Sequence, residues 1–393
     1  MKKITRILSS VMAISMLSMP LAACSSSESA SPASPAESQS SAASSGVIEI
    51  SFPTFMCGTA SQTEWCAQRV EAFNTEYEGK YKVIVEEIPG DQNYIDKLKV
   101  LYSADDLPDV IVTGGYNLID MMKDKLVDLT PYLDEDTEWK GQLSSVGVNV
   151  NSRDGQLYAI PYIRQVIGYY YNKDLFAQAG IEAPPETWEE FEADCDKLLA
   201  AGITPISMDT ADSGWCTSLL MGAMIGQTDT GEKFMNTNQP DSFVNDDVIQ
   251  AAARIQKMFQ NYTTTDAIGG EYGAAANNFF NEKTAIIANG PWMVSKFYDT
   301  SIVSDDFADK IAAAAYPGNV MYNSGQVGWS IASKTPEKIE ASLAFVKFMT
   351  SEESQKMDLE MCSVVPDRSI EGADVYPLVN DTIALADKAS HSI

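Results

Sequence analysis

The feature that most limits how this chain can fold is an alternation, from Val47 onward, of short apolar runs with longer segments whose apolar residues share a helical face. Val47-Ile48-Glu49-Ile50-Ser51-Phe52 reads as a strand, and Glu64 to Tyr77, with Trp65, Val70 and Phe73, reads as a helix. Tyr81 to Ile88 is a second strand. Tyr94 to Tyr102 is a second helix carrying Ile95, Leu98 and Leu101, and Asp109 to Thr113 is a buried strand running into Gly114-Gly115. Strand, helix, strand, helix, strand predicts an α/β lobe. In such sheets ligands collect beyond the carboxyl ends of the strands, which singles out the loops Met56 to Gln62 and Thr113 to Asn117.

Asn151 to Pro161 has the pattern of a hairpin turning at Asp154-Gly155. Val166 to Tyr171 then opens a second lobe. Inside it, Thr187 with Glu190 three residues on, just after Pro184-Pro185, forms the signature of a capping box, so a helix is expected to start there and end at Gly202. Asp247 to Phe259 reads as a helix, Thr284 to Ala288 as a strand, and Pro291 to Phe297 as the start of another helix. Gly328 to Ser333 followed by Pro336 to Thr350 is the last readable α/β unit, and no internal repeat is found.

The first forty-six residues are of another kind. Lys2, Lys3 and Arg6, an apolar run from Ile7 to Pro20, and Leu21-Ala22-Ala23-Cys24 stand in the order of a bacterial lipoprotein signal, with residues 1–23 removed and lipid attached to Cys24. From Ser25 to Gly46 there are eleven serines and five alanines and no aromatic residue, so 24–46 reads as a flexible tether. The expected location is the extracytoplasmic face of the bacterial membrane. A formal net charge of −28 disfavours nucleic acid and anionic ligands and favours neutral or cationic ones. Beyond Cys24 five cysteines remain, and Cys57 and Cys66 could bridge one loop or be small buried hydrophobes. His391 is the single histidine, which removes histidine triads and histidine metal clusters from consideration; no metal and no cofactor is expected.

Several segments together resemble the extracellular solute-binding proteins of bacterial ABC importers, in their large sugar-binding branch that includes maltose-binding proteins. These are Leu107-Pro108-Asp109-Val110, Leu126-Val127-Asp128-Leu129-Thr130-Pro131-Tyr132-Leu133 and Gly155-Gln156-Leu157-Tyr158-Ala159-Ile160-Pro161. With them go Tyr170-Tyr171-Asn172-Lys173-Asp174-Leu175-Phe176 and, most specifically, Pro184-Pro185-Glu186-Thr187-Trp188-Glu189-Glu190-Phe191. Lys283-Thr284-Ala285-Ile286-Ile287, Gly290-Pro291-Trp292 and Ala344-Phe345-Val346-Lys347-Phe348-Met349 complete the set. The resemblance covers Val47 to about Pro366. It implies an α/β fold of the type II periplasmic-binding-protein class, two hinge-linked lobes with a ligand cleft between them. The implied division is 47–160 plus about 318–365 for lobe I and about 165–315 for lobe II. Crossings are expected near Pro161 to Gln165 and between about Ala312 and Val320, with 366–393 a shortened or truncated C-terminal segment.

A sugar ring needs flat aromatic faces and fixed hydrogen-bonding groups. The resemblance assigns Trp292 as stacking aromatic, Trp215 with Asp209 and Asp212 as a second group, and Trp329 where a first-lobe strand nears the cleft. Tyr116 and Asn117 stand where relatives carry an aromatic and a carboxylate. Gln165 beside Arg164 replaces an acid of some relatives, and Gln62 and Glu64 follow the first strand. Trp139 and Trp188 read as structural. The implied function is capture of a neutral mono- or oligosaccharide for the permease subunits of an ABC importer by a monomeric, non-enzymatic protein. A polyamine or other cationic solute is the alternative, followed by a sugar-sensing subunit and a surface glycosidase, for which no motif is present.

Overall fold

The structure is a computed structural model that describes residues 46–58, 60–113, 117–237, 240–325 and 328–393. Lobe I begins with β1 (Ile48–Thr54) and β2 (Tyr81–Glu87), which pair in parallel from Ile48 opposite Tyr81 to Thr54 opposite Glu87. The intervening helix, Thr63–Glu76, turns Trp65, Val70 and Phe73 inward, and this burial holds the parallel crossover in place. Then come β3 (Val110–Val112), the hairpin of β4 (Ser152–Arg153) and β5 (Gln156–Leu157), and β6 (Ile160–Pro161). The hairpin turns where Asp154 and Gly155 both take positive φ, as the sequence pattern requires.

The chain leaves lobe I through Tyr162-Ile163 and enters the longest strand, β7 (Arg164–Asn172). Lobe II adds β8 (Thr204–Ser207), β9 (Thr284–Asn289), β10 (Ile311–Ala314) and β11 (Val320–Gly325). β12 (Gly328–Ile331) returns to lobe I between β3 and β6, and β13 (His391–Ser392) closes the chain in lobe II. The second sheet runs β13-β11-β7-β9-β8, with β10 also on β7. The capping box forms as read: Thr187 Oγ1 accepts the Glu190 N–H and Glu190 Oε2 accepts the Thr187 N–H, both at 3.2 Å, at the head of the helix Trp188–Ala200.

Two differences from the sequence reading, and one arrangement it left open, stand out. The second crossing falls between β11 and β12 rather than within 312–320, because β11 pairs antiparallel with β7 from Tyr322 opposite Ile167 to Gly325 opposite Arg164. The segment after Pro366 packs on lobe II: the helix Pro377–Asp387 buries Leu378, Val379 and Ala386, and β13 lies parallel beside β11. The helix Trp215–Gly226 escaped the periodicity reading because most of it is buried, leaving no polar face to mark a period.

All five described cysteines are free and buried, so Cys57 and Cys66 are unbridged. Burial pushes the Cys66 thiol up to about 12, which leaves it inert. His391 sits 2.9 Å from Glu232, whose carboxyl it holds below the usual range. Among the described residues no helix is long and apolar enough to cross a membrane, and no group of acidic, histidine or cysteine side chains could hold a metal ion.

The last residue is structural. Ile393 is buried, its N–H donates to the Met321 carbonyl at 3.1 Å, and its side chain lies so near Gly226 that a Cβ there would come within 2.6 Å. Ile393→Ala is expected to cost about 2–5 kcal/mol in urea unfolding; an unchanged midpoint would mean that the C-terminal strand does not seal lobe II.

Candidate functional site

The richest surface of lobe II lies where a strand turns into a helix. After β8 the chain makes a tight turn from Asp209 to Gly214, in which Asp212 and Gly214 both have positive φ. The turn is tied down by the Thr210 and Ala211 N–H groups donating to the Gly270 carbonyl and by the Thr217 hydroxyl donating to the Asp209 carbonyl at 2.6 Å. It delivers Asp209 to the amino end of the 215–226 helix, where its Oδ1 accepts the Thr217 N–H at 3.3 Å. The other oxygen, Oδ2, is buried without a hydrogen-bond partner among the described residues. Burial raises the Asp209 carboxyl to about 6, against the lowering effect of the N–H groups of Thr217, Cys216 and Trp215.

Trp215 opens that helix, and its ring centre is 6.0 Å from that of Trp292, tilted by 56°. Both tryptophans are half-buried. Trp292 belongs to the 3-10 helix Pro291–Tyr298, and its ring lies back across Gly290 so closely that any side chain at 290 would collide with it. It packs against the cores of both lobes. Gly290 is in turn fixed by Asn289, whose Oδ1 accepts its N–H and whose Nδ2 donates to the Tyr272 hydroxyl at 3.1 Å. The sequence reading missed Tyr272 and Asn289. Asn289 had a signal, standing directly before Gly290-Pro291-Trp292; Tyr272 had none.

Asp212 reaches across to lobe I. Its Oδ1 accepts the N–H of Gln92, at 3.0 Å, in the first turn of the helix Asp91–Ser103. Asp212, Trp215 and Trp292 therefore lie in one region between the lobes, while Asp209 is fully buried at the foot of the turn. The remaining expected residues fare differently. Trp329 is corrected: it is fully buried in β12 among Phe52, Tyr162 and Phe345 and offers no face to a ligand. A strand in the middle of its sheet, with helices packed on it, buries such a ring. Gln62 is also buried, donating to Asp358 Oδ2 at 2.6 Å. Glu64 is exposed and accepts from Gln68 at 2.9 Å. Gln165 sits half-buried at the crossing opposite Ser324, and Asn117 is exposed at a positive φ before a short helix. Tyr116 lies outside the described residues.

The family of bacterial extracellular solute-binding proteins matches residues 68–370, well over half the chain. The chain belongs to this family. Among curated relatives, the multiple sugar-binding protein of Streptococcus mutans serotype c is 28% identical over 208 residues, 50% of this chain and 48% of the relative. A putative binding protein of Brucella abortus is 28% identical over 163 residues, 41% of this chain and 38% of that one. The chain thus spans about half the length, or less, of the curated relatives it matches. A chitin oligosaccharide binding protein superposes over 88% of both chains with a TM-score of 0.78 at 21% identity. A Streptococcus pneumoniae solute-binding protein in complex with the blood group A-trisaccharide covers 88% of this chain and 89% of that chain, with a TM-score of 0.72 at 22% identity. At these identities the likeness establishes the fold: the two-lobe, type II architecture of the solute-binding family.

Asp209 supplies a pH test of the site. Its folded-state affinity for a proton exceeds that of an unfolded aspartate, so the folded protein holds the extra proton between about pH 4 and about pH 6, and stability falls as pH rises through that window. Asp209→Asn is expected to flatten this slope and to be the more stable protein above about pH 6. Parallel pH profiles of the melting temperature for both proteins would contradict the assignment.

Proposed function

We propose that the chain is the ligand receptor of a bacterial ABC importer, capturing a neutral mono- or oligosaccharide in the cleft and presenting it to membrane permease subunits by hinge closure. The observation that carries this reading is the tilted pair Trp215 and Trp292, both half-buried, next to the turn whose Asp212 meets lobe I. Two ring faces match the C–H faces of a pyranose, and the partly exposed turn that carries Asp212 offers hydrogen-bonding groups beside them. The names of the relatives support it. The Streptococcus mutans protein is a multiple sugar-binding protein, and the structural neighbours include a chitin oligosaccharide binding protein and a complex with a trisaccharide. A monomer held to the membrane by lipid on Cys24 belongs to the same reading.

Closure needs no covalent chemistry. A ligand that touches both lobes stabilises the closed form by the difference between its affinities for the closed and open forms. The strong negative charge works against phosphorylated or other anionic ligands at every distance within the screening length.

The test is the melting temperature of the protein with a panel of neutral sugars, oligosaccharides and polyamines. Ligand at about a thousand times its dissociation constant stabilises by roughly 4 kcal/mol, a readily measured shift. A shift with one family of neutral glycans is expected. A shift with polyamines alone would replace the sugar by a cation held on the same aromatics and carboxylates, and a silent panel would refute the sugar reading. Trp292→Ala should weaken binding of the responding sugar by about tenfold or more with the circular dichroism spectrum unchanged; wild-type affinity in that variant would remove Trp292 from the site.

A further inference from the structure

A buried polar cluster in lobe I has no part in the site above. Gln62, Tyr162, Gln355 and Asp358 are 7%, 1%, 4% and 2% exposed. Gln62 Nε2 donates to Asp358 Oδ2 at 2.6 Å, and Gln355 Nε2 donates to the Tyr162 carbonyl at 3.0 Å. Gln355 Oε1 has no hydrogen-bond partner among the described residues, and the Cys362 thiol and the Tyr162 hydroxyl lie against the Asp358–Gln62 pair. The elements packed around Asp358 bring few charges. The 63–76 helix brings Cys66 and Glu64, the crossing brings Tyr162, its own helix brings Cys362, and the 3-10 helix of Trp292 brings Lys296, which acts on Cys362. The other nearby cation, Arg69, is engaged with Glu353 at 3.1 Å.

The connections of this cluster run to the cleft. Gln62 stands immediately before the 63–76 helix, and its side chain does not cap that helix but turns to Asp358 instead. Asp358 belongs to the helix Glu352–Cys362, whose Leu359 shares a core with Met293, Val294 and Phe297 of the helix that carries Trp292. Through Gln355 the same helix holds Tyr162 at the first crossing between the lobes.

We propose that Asp358 is a positioning residue for the cleft: its side chain holds Gln62, and with it the start of the 63–76 helix, against the helix that backs Trp292. The assignment rests on the cleft being the ligand site only for its functional meaning; the local geometry stands without a ligand. A carboxylate buried to this degree without a cation is costly, so the group is retained as a neutral acid that both accepts from Gln62 and has a proton to donate. Burial pushes its carboxyl up to about 8. The folded protein holds that proton while an unfolded aspartate does not, so this group favours folding less and less as pH rises towards 8, and above it the ionised group must leave its buried position.

The experiment needs no ligand. Carbon-13 aspartate spectra of the full protein give the titration of Asp358, assigned with Asp358→Asn, while hydrogen exchange, corrected for its intrinsic pH dependence, follows the turn closed by the Cys66 amide, which donates to the Gln62 carbonyl at 2.9 Å. We expect Asp358 to titrate near 8 and protection of that turn to fall by about tenfold per pH unit above it. Asp358→Asn, which keeps one acceptor and one donor, should retain protection at all pH values, and Asp358→Leu should lose it at all of them. Titration in the ordinary aspartate range, or first-turn protection that is unchanged in Asp358→Leu, would overturn the proposal. Should the leucine variant fail to fold, the asparagine variant and the titration decide alone. Failure of the sugar panel would leave these readouts untouched, so the two readings fail separately.

Discussion

Strand β7 is the constraint on which the two-lobe structure depends. It receives the chain from lobe I, pairs with β9 on one side and with β10 and β11 on the other, and so fixes lobe II and the return path to lobe I in one register. Gly168 shows how tight this arrangement is. A Cβ at that position would collide with the Ala314 carbonyl, so only glycine lets β10 close against the strand. Arg164, at the mouth of β7, then joins the crossing strands to the C-terminal helix, donating to Asn323 at 2.9 Å and to Asp387 at 2.7 Å. The hinge region is therefore built from both halves of the sequence and from its last residues.

Much of this was legible in the residues. β1, β2 and the helix between them follow from period, and the 188–200 helix follows from its capping box, because each signal is local. The second crossing was misplaced because strand partners are long-range. Nothing within 312–320 reports that Tyr322 to Gly325 will face Ile167 to Arg164. The 215–226 helix was invisible for the opposite reason: a helix that is apolar and buried over most of its surface has a weak amphipathic period. The C-terminal strand is two residues long and carries no pattern at all; packing against Gly226 and the pairing of His391 with Glu232 hold it.

The site divides in the same way. Trp292, Trp215, Asp209 and Asp212 were singled out by resemblance, and the fold gathers them because one tight turn and one glycine-proline turn lie close together in lobe II. Trp329 was misassigned because its position along the chain is close to the cleft while its strand lies inside the sheet; distance along the sequence cannot distinguish the two faces of a buried strand. The acids behave likewise. Asp209 and Asp358 look like any of the chain's other carboxylates in sequence, yet burial without a cation sets both apart from the solvated acids that give the surface its charge. Among the described residues burial thus raises the proton affinity of Asp209 at the cleft, of Asp358 behind it and of Asp367 at the crossing above that of an ordinary aspartate.

The central claim is that a neutral sugar is held between the lobes at Trp215 and Trp292. Hydrogen exchange of the protein with and without a saturating neutral oligosaccharide tests it most directly, since it reports where the ligand acts as well as that it binds. The account predicts protection concentrated in the 209–217 and 289–296 segments of lobe II together with the 90–93 turn of lobe I that meets Asp212. Protection confined to one lobe, or to surfaces remote from these segments, would contradict it.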